Sequence, residues 1–201
     1  MATELEFKLA VPNPAMLEQI LFDSQVAEVR QGDYELYNMA TVYYDTPDHR
    51  LSNLRWTLRL RQENDCLVAS LKTPGDGHAR GEWECPAYNI RDAIPVLLEL
   101  GAPQELRSML EGQELYPLCA AQFTRRVCKV SLPGDTVCEL CGDIGQLAGG
   151  GKEEALCELE LELKSGSADM AQAYAAELQD RFGLQEELRS KFQRASALAK
   201  N

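Results

Sequence analysis

Charged residues, often of one sign, recur at every second position in several segments of this sequence. Near the N-terminus, Glu4, Glu6 and Lys8 alternate with apolar residues. Comparable rows follow further along the chain: Arg59 and Arg61, then Arg80, Glu82 and Glu84, then Glu158, Glu160 and Glu162. Successive side chains of a β-strand point to opposite faces, so each row lies on one face of its strand. Like charges at that spacing repel one another, so their repetition predicts bound counter-ions.

The two kinds of row suit the two parts of a complex between a metal and a phosphate compound. Carboxylate clusters bind Mg²⁺ or Mn²⁺, and these ions bridge phosphate oxygens readily. Arginine suits phosphate because its guanidinium donates two parallel hydrogen bonds, and Lys72 adds a positive charge on the strand that follows Arg59 and Arg61. A solvated face is the alternative for any single strand. The same pattern on several strands favours a site for phosphate and metal.

The elements that must position these residues are mostly strands, in which polar and apolar residues alternate between turn-forming segments. The predicted strands are Thr3–Val11, Val26–Gln31, Glu35–Tyr44, Trp56–Gln62, Cys66–Thr73, Arg80–Tyr88, Ala120–Leu132, Thr136–Gly142 and Glu154–Lys164. The predicted helices are Pro14–Ser24 with Asn13 as its N-cap, Arg91–Leu100, Gln104–Glu111, Ala168–Phe182 and Glu187–Ala199. About eight strands in hairpins, with helices between and after them, predict an α+β fold: an eight-stranded antiparallel β-barrel flanked by helices, in a single domain over residues 1–201.

Composition narrows the classes of partner and compartment. The 201 residues carry a net charge of −12, from 20 basic and 32 acidic residues, which argues against nucleic acid or an anionic membrane as a general partner. No basic segment followed by an apolar stretch opens the sequence, and no apolar run is long enough to cross a bilayer. A cytoplasmic location is therefore expected, and the seven cysteines are expected to be mostly buried free thiols.

Two short motifs resemble functional sites but are interpreted as having no such function. Cys138 and Cys141 have the spacing of a metal-binding pair, but residues three apart on a strand face opposite ways. The segment from Gly145 to Lys152 resembles a phosphate-binding P-loop, but its spacing is one residue too long and no helix is predicted after it. This segment is predicted to be a plain connecting loop.

The charged rows belong to a longer set of motifs that resembles the CYTH family, the triphosphate tunnel metalloenzymes. Glu4-Leu-Glu6-Phe-Lys8 is similar to the ExExK motif of that family. The other matching segments, in chain order, are Tyr43-Tyr-Asp-Thr-Pro47, Leu58-Arg-Leu-Arg61, Ser70-Leu-Lys72, Arg80-Gly-Glu82-Trp-Glu84, Thr124-Arg125, Glu139 to Asp143, Cys157-Glu158-Leu-Glu160 and Ser190-Lys191-Phe-Gln-Arg194. The resemblance spans nearly the whole chain and is closest to bacterial inorganic triphosphatases.

The resemblance implies a role for each matching residue inside an eight-stranded tunnel. Metal ligands for Mg²⁺ or Mn²⁺ would be Glu4, Glu6, Glu158 and Glu160. Phosphate-binding residues would be Lys8, Arg59, Arg61, Lys72, Arg80, Arg125 and Lys191. Glu4, Glu6 and Lys8 are also assigned to catalysis. Glu162 would lie nearer the rim, and Glu139 and Asp143 would form a further acidic pair.

Two choices within these motifs stay open at the level of the sequence. Arg125 and Arg126 are adjacent, so only one of them can face inward; similarity to the family favours Arg125. Lys191 and Arg194 share one face of the last predicted helix, and that face could equally be a solvated one.

The resemblance implies metal-dependent hydrolysis of inorganic triphosphate to pyrophosphate and phosphate. Thiamine triphosphatase and class IV adenylyl cyclase activities are alternatives within the family. A non-catalytic polyphosphate-binding module and a lipocalin-like carrier with an apolar interior are alternatives outside it. The expected partner is a small-molecule triphosphate, without nucleic acid or membrane, and the chain is expected to be a monomer or a homodimer.

Overall fold

The structure, a computed structural model, describes residues 5–74 and 80–200, apart from the side chains of Arg80 and Lys200. Within these residues the strands are β1 (Leu5–Ala10), β2 (Arg30–Asp45), β3 (Thr57–Glu63), β4 (Cys66–Pro74), β5 (Arg80–Pro86), β6 (Tyr116–Leu132), β7 (Thr136–Gly149), β8 (Lys152–Ser165) and β9 (Gln185–Glu186). The helices are α1 (Pro14–Leu21), α2 (Ser24–Val29), α3 (Arg50–Asn53), α4 (Ile90–Glu99), α5 (Glu105–Leu110), α6 (Ala168–Phe182) and α7 (Lys191–Lys200).

The strands form one antiparallel sheet in the order β5-β4-β3-β2-β6-β7-β8-β1-β9. Tight hairpins join β3 to β4, β6 to β7, and β7 to β8, with positive φ angles at Asn64, Gly134, Asp135, Gly150 and Gly151. Apart from local shifts in the β2–β6 and β7–β8 pairs, the register is continuous across neighbouring strands, so the alternate charged rows fall on one face of the sheet. That face is concave, since residues from both ends of the strand order line the same cavity.

The predicted closed barrel of eight strands is not what the described residues form. The sheet is open and contains nine strands, because the short β9 takes the edge of β1 that a closed barrel would offer to β5. Ala10 and Leu9 pair with β9, and the Glu187 amide donates to the Lys8 carbonyl oxygen (2.9 Å). Those backbone groups of β1 are therefore already engaged, and β1 does not pair with β5.

Three other local predictions were wrong. Val26–Gln31 was predicted as a strand, but Ser24–Val29 is helical, because the Asp23 carboxylate accepts from the Gln25 amide and caps it. The predicted loop from Gly145 is strand β7 as far as Gly149, and only Gly150–Gly151 forms the turn. The last helix begins at Lys191 rather than Glu187. The backbone of β9 and the Glu187 amide bond to β1, so the chain cannot be helical there.

Three clusters of buried residues hold the curved sheet and its helices together. Helices α1, α2 and α6 cover the convex face at β1 and β6–β8, and α4 and α5 cover it at β3–β5. The third cluster lies on the concave face, where Phe192 and Ala195 of α7 pack against inward-facing residues of β2, β6, β7 and β8. Helix α7 thus closes one end of the concave face and brings its own side chains into it.

The docking of α7 depends on the absence of a side chain at Gly149. A Cβ atom at this position would lie 2.3 Å from the carbonyl oxygen of Ala195 in α7. Gly149→Ala should therefore lower the free energy of unfolding by about 1–3 kcal/mol, as overpacking of a close contact does, when measured by urea denaturation. Ala148→Val, at the neighbouring outward-facing and half-buried position, is the control. Equal stability of the two variants would contradict this account of α7.

Candidate functional site

The concave face of the sheet encloses a cavity of about 1080 Å³. Of the residues predicted for the site, the structure places the following along it: Glu6, Lys8, Arg59, Arg61, Lys72, Arg125, Glu139, Glu160, Glu162 and Lys191. Glu158 and Asp143 lie buried beside it, next to Glu160. Glu4 is outside the described residues, and only the backbone of Arg80, at the start of β5, is described. Charged side chains, rather than apolar ones, therefore dominate the interior, unlike that of a lipocalin.

One wall of the cavity carries the cationic row, which we define as Arg59 and Arg61 of β3 and Lys72 of β4. Arg59 donates from Nε to the Ser70 hydroxyl (2.7 Å) and has Nη2 within 3.5 Å of Glu82 and 3.6 Å of Glu84. Lys72 lies 3.0 Å from Glu82. The acids of β5 thus lie beside the cationic row, also along the cavity, and hold it in place. This follows from the register, in which Lys72 faces Glu82 and Ser70 faces Glu84.

Arg61 is incompletely paired within this wall. Its Nη2 lies 2.7 Å from Glu63 and 3.7 Å from Glu84, but its buried Nε has no hydrogen-bond partner in the described part of the chain. Burial and the neighbouring Arg59 guanidinium hold the pKa of Arg61 below its usual value. Crowded cations with an unused donor are stabilised by an anion that accepts several hydrogen bonds, such as a phosphate.

The opposite wall carries the acidic trio, which we define as Asp143 of β7 with Glu158 and Glu160 of β8. The three residues are only 0%, 1% and 8% exposed, and one carboxylate oxygen of each lies within 4.8 Å of the others. The register pairs Asp143 with Glu158, and Glu160 follows two residues later on the same face. Three converging carboxylates are a donor set for a hard divalent cation.

Three basic side chains hold the acidic trio. Arg125 donates from Nε and Nη2 to the two oxygens of Asp143 (2.8 and 2.7 Å) and also contacts Glu160. Lys191 has its Nζ 2.8 Å from both Asp143 and Glu160 and also bonds to Glu158. Arg194 bonds to Glu158 (3.0 Å) and to Glu154 (2.6 Å). The trio therefore belongs to a buried network in which each acid has a partner.

The carboxyl groups of this wall differ in pKa. Solvent reaches Glu6 through the cavity, yet the enclosing walls and the adjacent Glu160 carboxylate raise the pKa of Glu6 to about 8. Burial works against a charge on Glu160, but Lys191 and Arg125 hold its pKa well below the usual value. Burial raises the pKa of Glu158. The raised pKa of Glu6 beside the lowered pKa of Glu160 is an arrangement that added positive charge would relieve.

The structure resolves the choices that the sequence left open. Arg125 faces the cavity, whereas Arg126 faces outward, 3.8 Å from Glu18 and over the Phe22 ring. Lys191 and Arg194 both face inward from α7. Asp143 joins Glu158 and Glu160 more closely than its assignment to a separate acidic pair implied.

The cysteines behave as simple buried or exposed thiols. All seven are free, and Cys138 and Cys141 lie on opposite faces of β7. Cys138 packs in the core under α6, and Cys141 lines a smaller opening beside Arg125 and Glu139. The strand geometry that argued against a metal-binding pair is therefore what the structure shows.

A curved antiparallel sheet that directs basic and acidic rows into one charged cavity defines the class of protein to which this chain belongs. Comparison with protein families identifies it: the model described as the CYTH domain matches residues 2–196. The chain belongs to the CYTH family, as the sequence motifs predicted. Within the described residues, no helix has the length and apolar character needed to cross a membrane.

Similar proteins agree with this assignment. An inorganic triphosphatase of Haemophilus influenzae is 29% identical over 171 residues, which cover 83% of this chain and 47% of that protein. An uncharacterised protein of Mycobacterium tuberculosis is 28% identical over 165 residues, or 74% of this chain and 31% of that protein. The chain thus spans about half or less of the length of these relatives.

Solved structures share the fold across nearly the whole chain. A protein from Hippeastrum, described as a candidate adenylyl cyclase with a dominant triphosphatase activity, has a TM-score of 0.61 at 16% identity, covering 98% of this chain and 96% of its own. A protein from Bacillus halodurans, described as a candidate adenylate cyclase, has a TM-score of 0.60 at 19% identity, covering 96% and 98%. At these identities the likeness concerns the fold.

Proposed function

We propose that this chain hydrolyses inorganic triphosphate to pyrophosphate and phosphate, with Mg²⁺ or Mn²⁺ as cofactor. The observation that carries the proposal is the pairing of the two walls: the cationic row faces the same cavity as Glu160 of the acidic trio, and Asp143 and Glu158 lie buried next to Glu160. The similarity to an inorganic triphosphatase supports the same reaction. A linear triphosphate has the negative charge that the first wall needs and the oxygens that a metal held by the second wall would bind.

Basic residues on both sides of the cavity bind the triphosphate in this proposal. Arg59, Arg61 and Lys72 bind the phosphate oxygens from one side, and Lys8 and Arg125 bind them from the other. Arg80 and Lys191 complete this set in the proposal. Because Arg59, Lys72 and Arg125 are held by neighbouring acids before substrate arrives, these three side chains need little reorganisation on binding.

The acidic wall fits a divalent metal. Its donors are carboxylate oxygens only, which suit Mg²⁺ and Mn²⁺, and two further acids, Glu6 and Glu4, are proposed to complete the ligand set. When bound, the ion would neutralise charge on the phosphate oxygens and assist ionisation of the attacking water.

The reaction itself needs no nucleophile from the protein. Water attacks a terminal phosphorus, the bond from that phosphorus to the bridging oxygen breaks, and pyrophosphate leaves with the electron pair. The proton of the attacking water passes to a carboxylate of the cavity. Arginine and lysine side chains stabilise the charge that spreads over the transferred group and the leaving oxygen, which is where most of the rate of phosphoryl transfer originates.

Two other candidate substrates carry an organic group on the triphosphate: thiamine triphosphate, which the same hydrolysis would cleave, and ATP, in which a cyclase joins the ribose 3′-oxygen to the α-phosphorus and releases pyrophosphate. The adenylyl cyclase descriptions of the similar structures make ATP a specific alternative, although the sequence shows no set of residues that specifies adenine. A polyphosphate-binding module without catalysis would need only the basic residues. The buried acidic trio therefore favours an enzyme.

We expect tripolyphosphate to be turned over faster than thiamine triphosphate or ATP when each is supplied at equal concentration with Mg²⁺ or Mn²⁺. Release of phosphate and pyrophosphate measures hydrolysis, and formation of cyclic AMP measures cyclase activity. Chelation of the metal with EDTA should remove the activity, and added metal should restore it. Tight tripolyphosphate binding without turnover under any of these conditions would support the binding module instead.

The high negative charge of the chain favours small molecules over nucleic acid or membranes as partners.

A further inference from the structure

We infer that Lys191 is an internal cation that occupies the candidate metal site, so that a divalent metal must displace its ammonium group to bind. The inference deepens the proposed function and rests on it only for the location of the metal. It assigns Lys191 a role in the metal-free protein that differs from binding phosphate. Lys191 would set the metal affinity of the acidic trio.

The geometry places the ammonium at the centre of the trio. Nζ of Lys191 lies 2.8 Å from Asp143 Oδ2 and 2.8 Å from Glu160 Oε1, and it also contacts Glu158 Oε1. These are the three residues whose carboxylate oxygens lie within 4.8 Å of one another. The ammonium group therefore uses the same residues that a metal ion would use.

A divalent metal ion and the Lys191 ammonium cannot both bind these oxygens without strong electrostatic repulsion. Mg²⁺ binds carboxylate oxygens at roughly 2 Å, so an ion bound to Asp143 and Glu160 would be forced close to Nζ. Repulsion between a divalent and a monovalent cation is strongest in a buried site, where little water screens it. Metal and Lys191 therefore bind in competition.

Helix α7 keeps the competing lysine close by. Phe192 packs against Tyr43, with ring centroids 5.2 Å apart, and the Ala195 carbonyl fits over Gly149. Arg194, one turn further along α7, holds Glu158 and Glu154 independently of Lys191. The helix and Glu158 can thus stay in place while the flexible lysine side chain moves away from the trio.

The displaced ammonium would remain in the cavity. Lys191 lines it, and its Nζ already lies 5.0 Å from the centre of the Phe123 ring on the cavity side of β6. Metal binding would therefore convert Lys191 from a partner of the trio into a free cation in the cavity that holds the cationic row. A bound metal and a phosphate-binding lysine would then be produced together.

The test is metal binding without substrate. We expect Lys191→Gln to bind Mn²⁺ about tenfold more tightly than the wild-type protein, because the competing charge is gone, when measured by isothermal titration calorimetry. Lys164→Gln is the matched control: Lys164 also bridges two carboxylates, Glu139 at 2.9 Å and Glu162 at 2.8 Å, but not those of the trio. Its Mn²⁺ affinity at the trio should match that of the wild-type protein. Equal or weaker binding by Lys191→Gln would overturn the inference.

A second measurement uses the wild-type protein and does not depend on the folding of a variant. Lys191 is buried and ion-paired, so it should react slowly with an amine-specific acylating reagent in EDTA, and faster when Mg²⁺ is added. Mass spectrometry of the peptide gives the modified fraction, with exposed Lys129 as the internal reference. Unchanged or increased protection of Lys191 by Mg²⁺ would contradict displacement.

The two proposals fail separately. Neither readout involves triphosphate, so the protein could bind metal in competition with Lys191 and still hydrolyse nothing. Conversely, hydrolysis of tripolyphosphate with no change in Lys191 reactivity would retain the proposed function and remove this inference.

Discussion

Glu160→Gln is expected to lower kcat for tripolyphosphate about 100- to 1000-fold, since it removes a charged ligand from the proposed metal site. Glu160 is the member of the acidic trio that lines the cavity; it contacts both Lys191 and Arg125, and it shares a hydrogen bond with Glu6. The substitution keeps the shape of the side chain and one hydrogen-bonding oxygen. Mg²⁺-dependent phosphate release by the purified variant is the measurement.

Glu162→Gln provides the matched control for this effect. Glu162 lies on the same strand and the same face, but it pairs with Lys164 rather than with the trio. Its loss should change kcat less than tenfold. The folded state of both variants should be checked by circular dichroism, since Lys191 and Arg125 keep Asp143 as a partner in either case. Wild-type activity in Glu160→Gln would remove the trio from the mechanism.

Arg125→Ala is expected to act on activity and stability together. It removes the bidentate hydrogen-bond partner of Asp143, which is fully buried. The free energy of unfolding should therefore fall by about 3 kcal/mol. It also removes a proposed phosphate ligand, so kcat/KM for tripolyphosphate should fall about 100-fold. Urea denaturation and steady-state kinetics measure the two effects.

Arg126, the residue next to Arg125, provides the matched control for this substitution. Arg126→Ala removes the same side chain from the opposite face of β6, where it makes a weak contact with Glu18 and covers Phe22. Exposed pairs of this kind contribute about 1 kcal/mol or less, and kcat/KM should not change. Equal losses in the two variants would show that Arg125 has no special position in the cavity.

Many local features were predictable because they depend on short stretches of sequence. The structure confirms the helix that begins at Pro14, whose N-cap Asn13 accepts from the Met16 amide (2.9 Å), and the helix Ala168–Phe182 has the predicted bounds. The strand rows also follow directly from alternation, since side chains two apart share a face. Such features need no knowledge of distant partners.

Other features were mispredicted or undecided because they depend on partners far along the chain. The strand predicted at Val26 failed for a local reason instead, because the nearby Asp23 carboxylate caps a helix there. The open edge of the sheet depends on Gln185 and Glu186, which follow β1 by about 175 residues and occupy its edge. A periodic pattern carries no information about which edge such a segment takes.

The sequence by itself determined which residues could do chemistry: acids and bases in rows, on strands whose alternation directs each row to a single face, in an order typical of one family. The tertiary structure decided which rows meet. Register placed Asp143 beside Glu158 and selected Arg125 over Arg126, and the packing of α7 brought Lys191 from the far end of the chain into the trio. The physical reason is that alternation is set by neighbouring residues, whereas the meeting of opposite charges depends on how distant strands and helices pack.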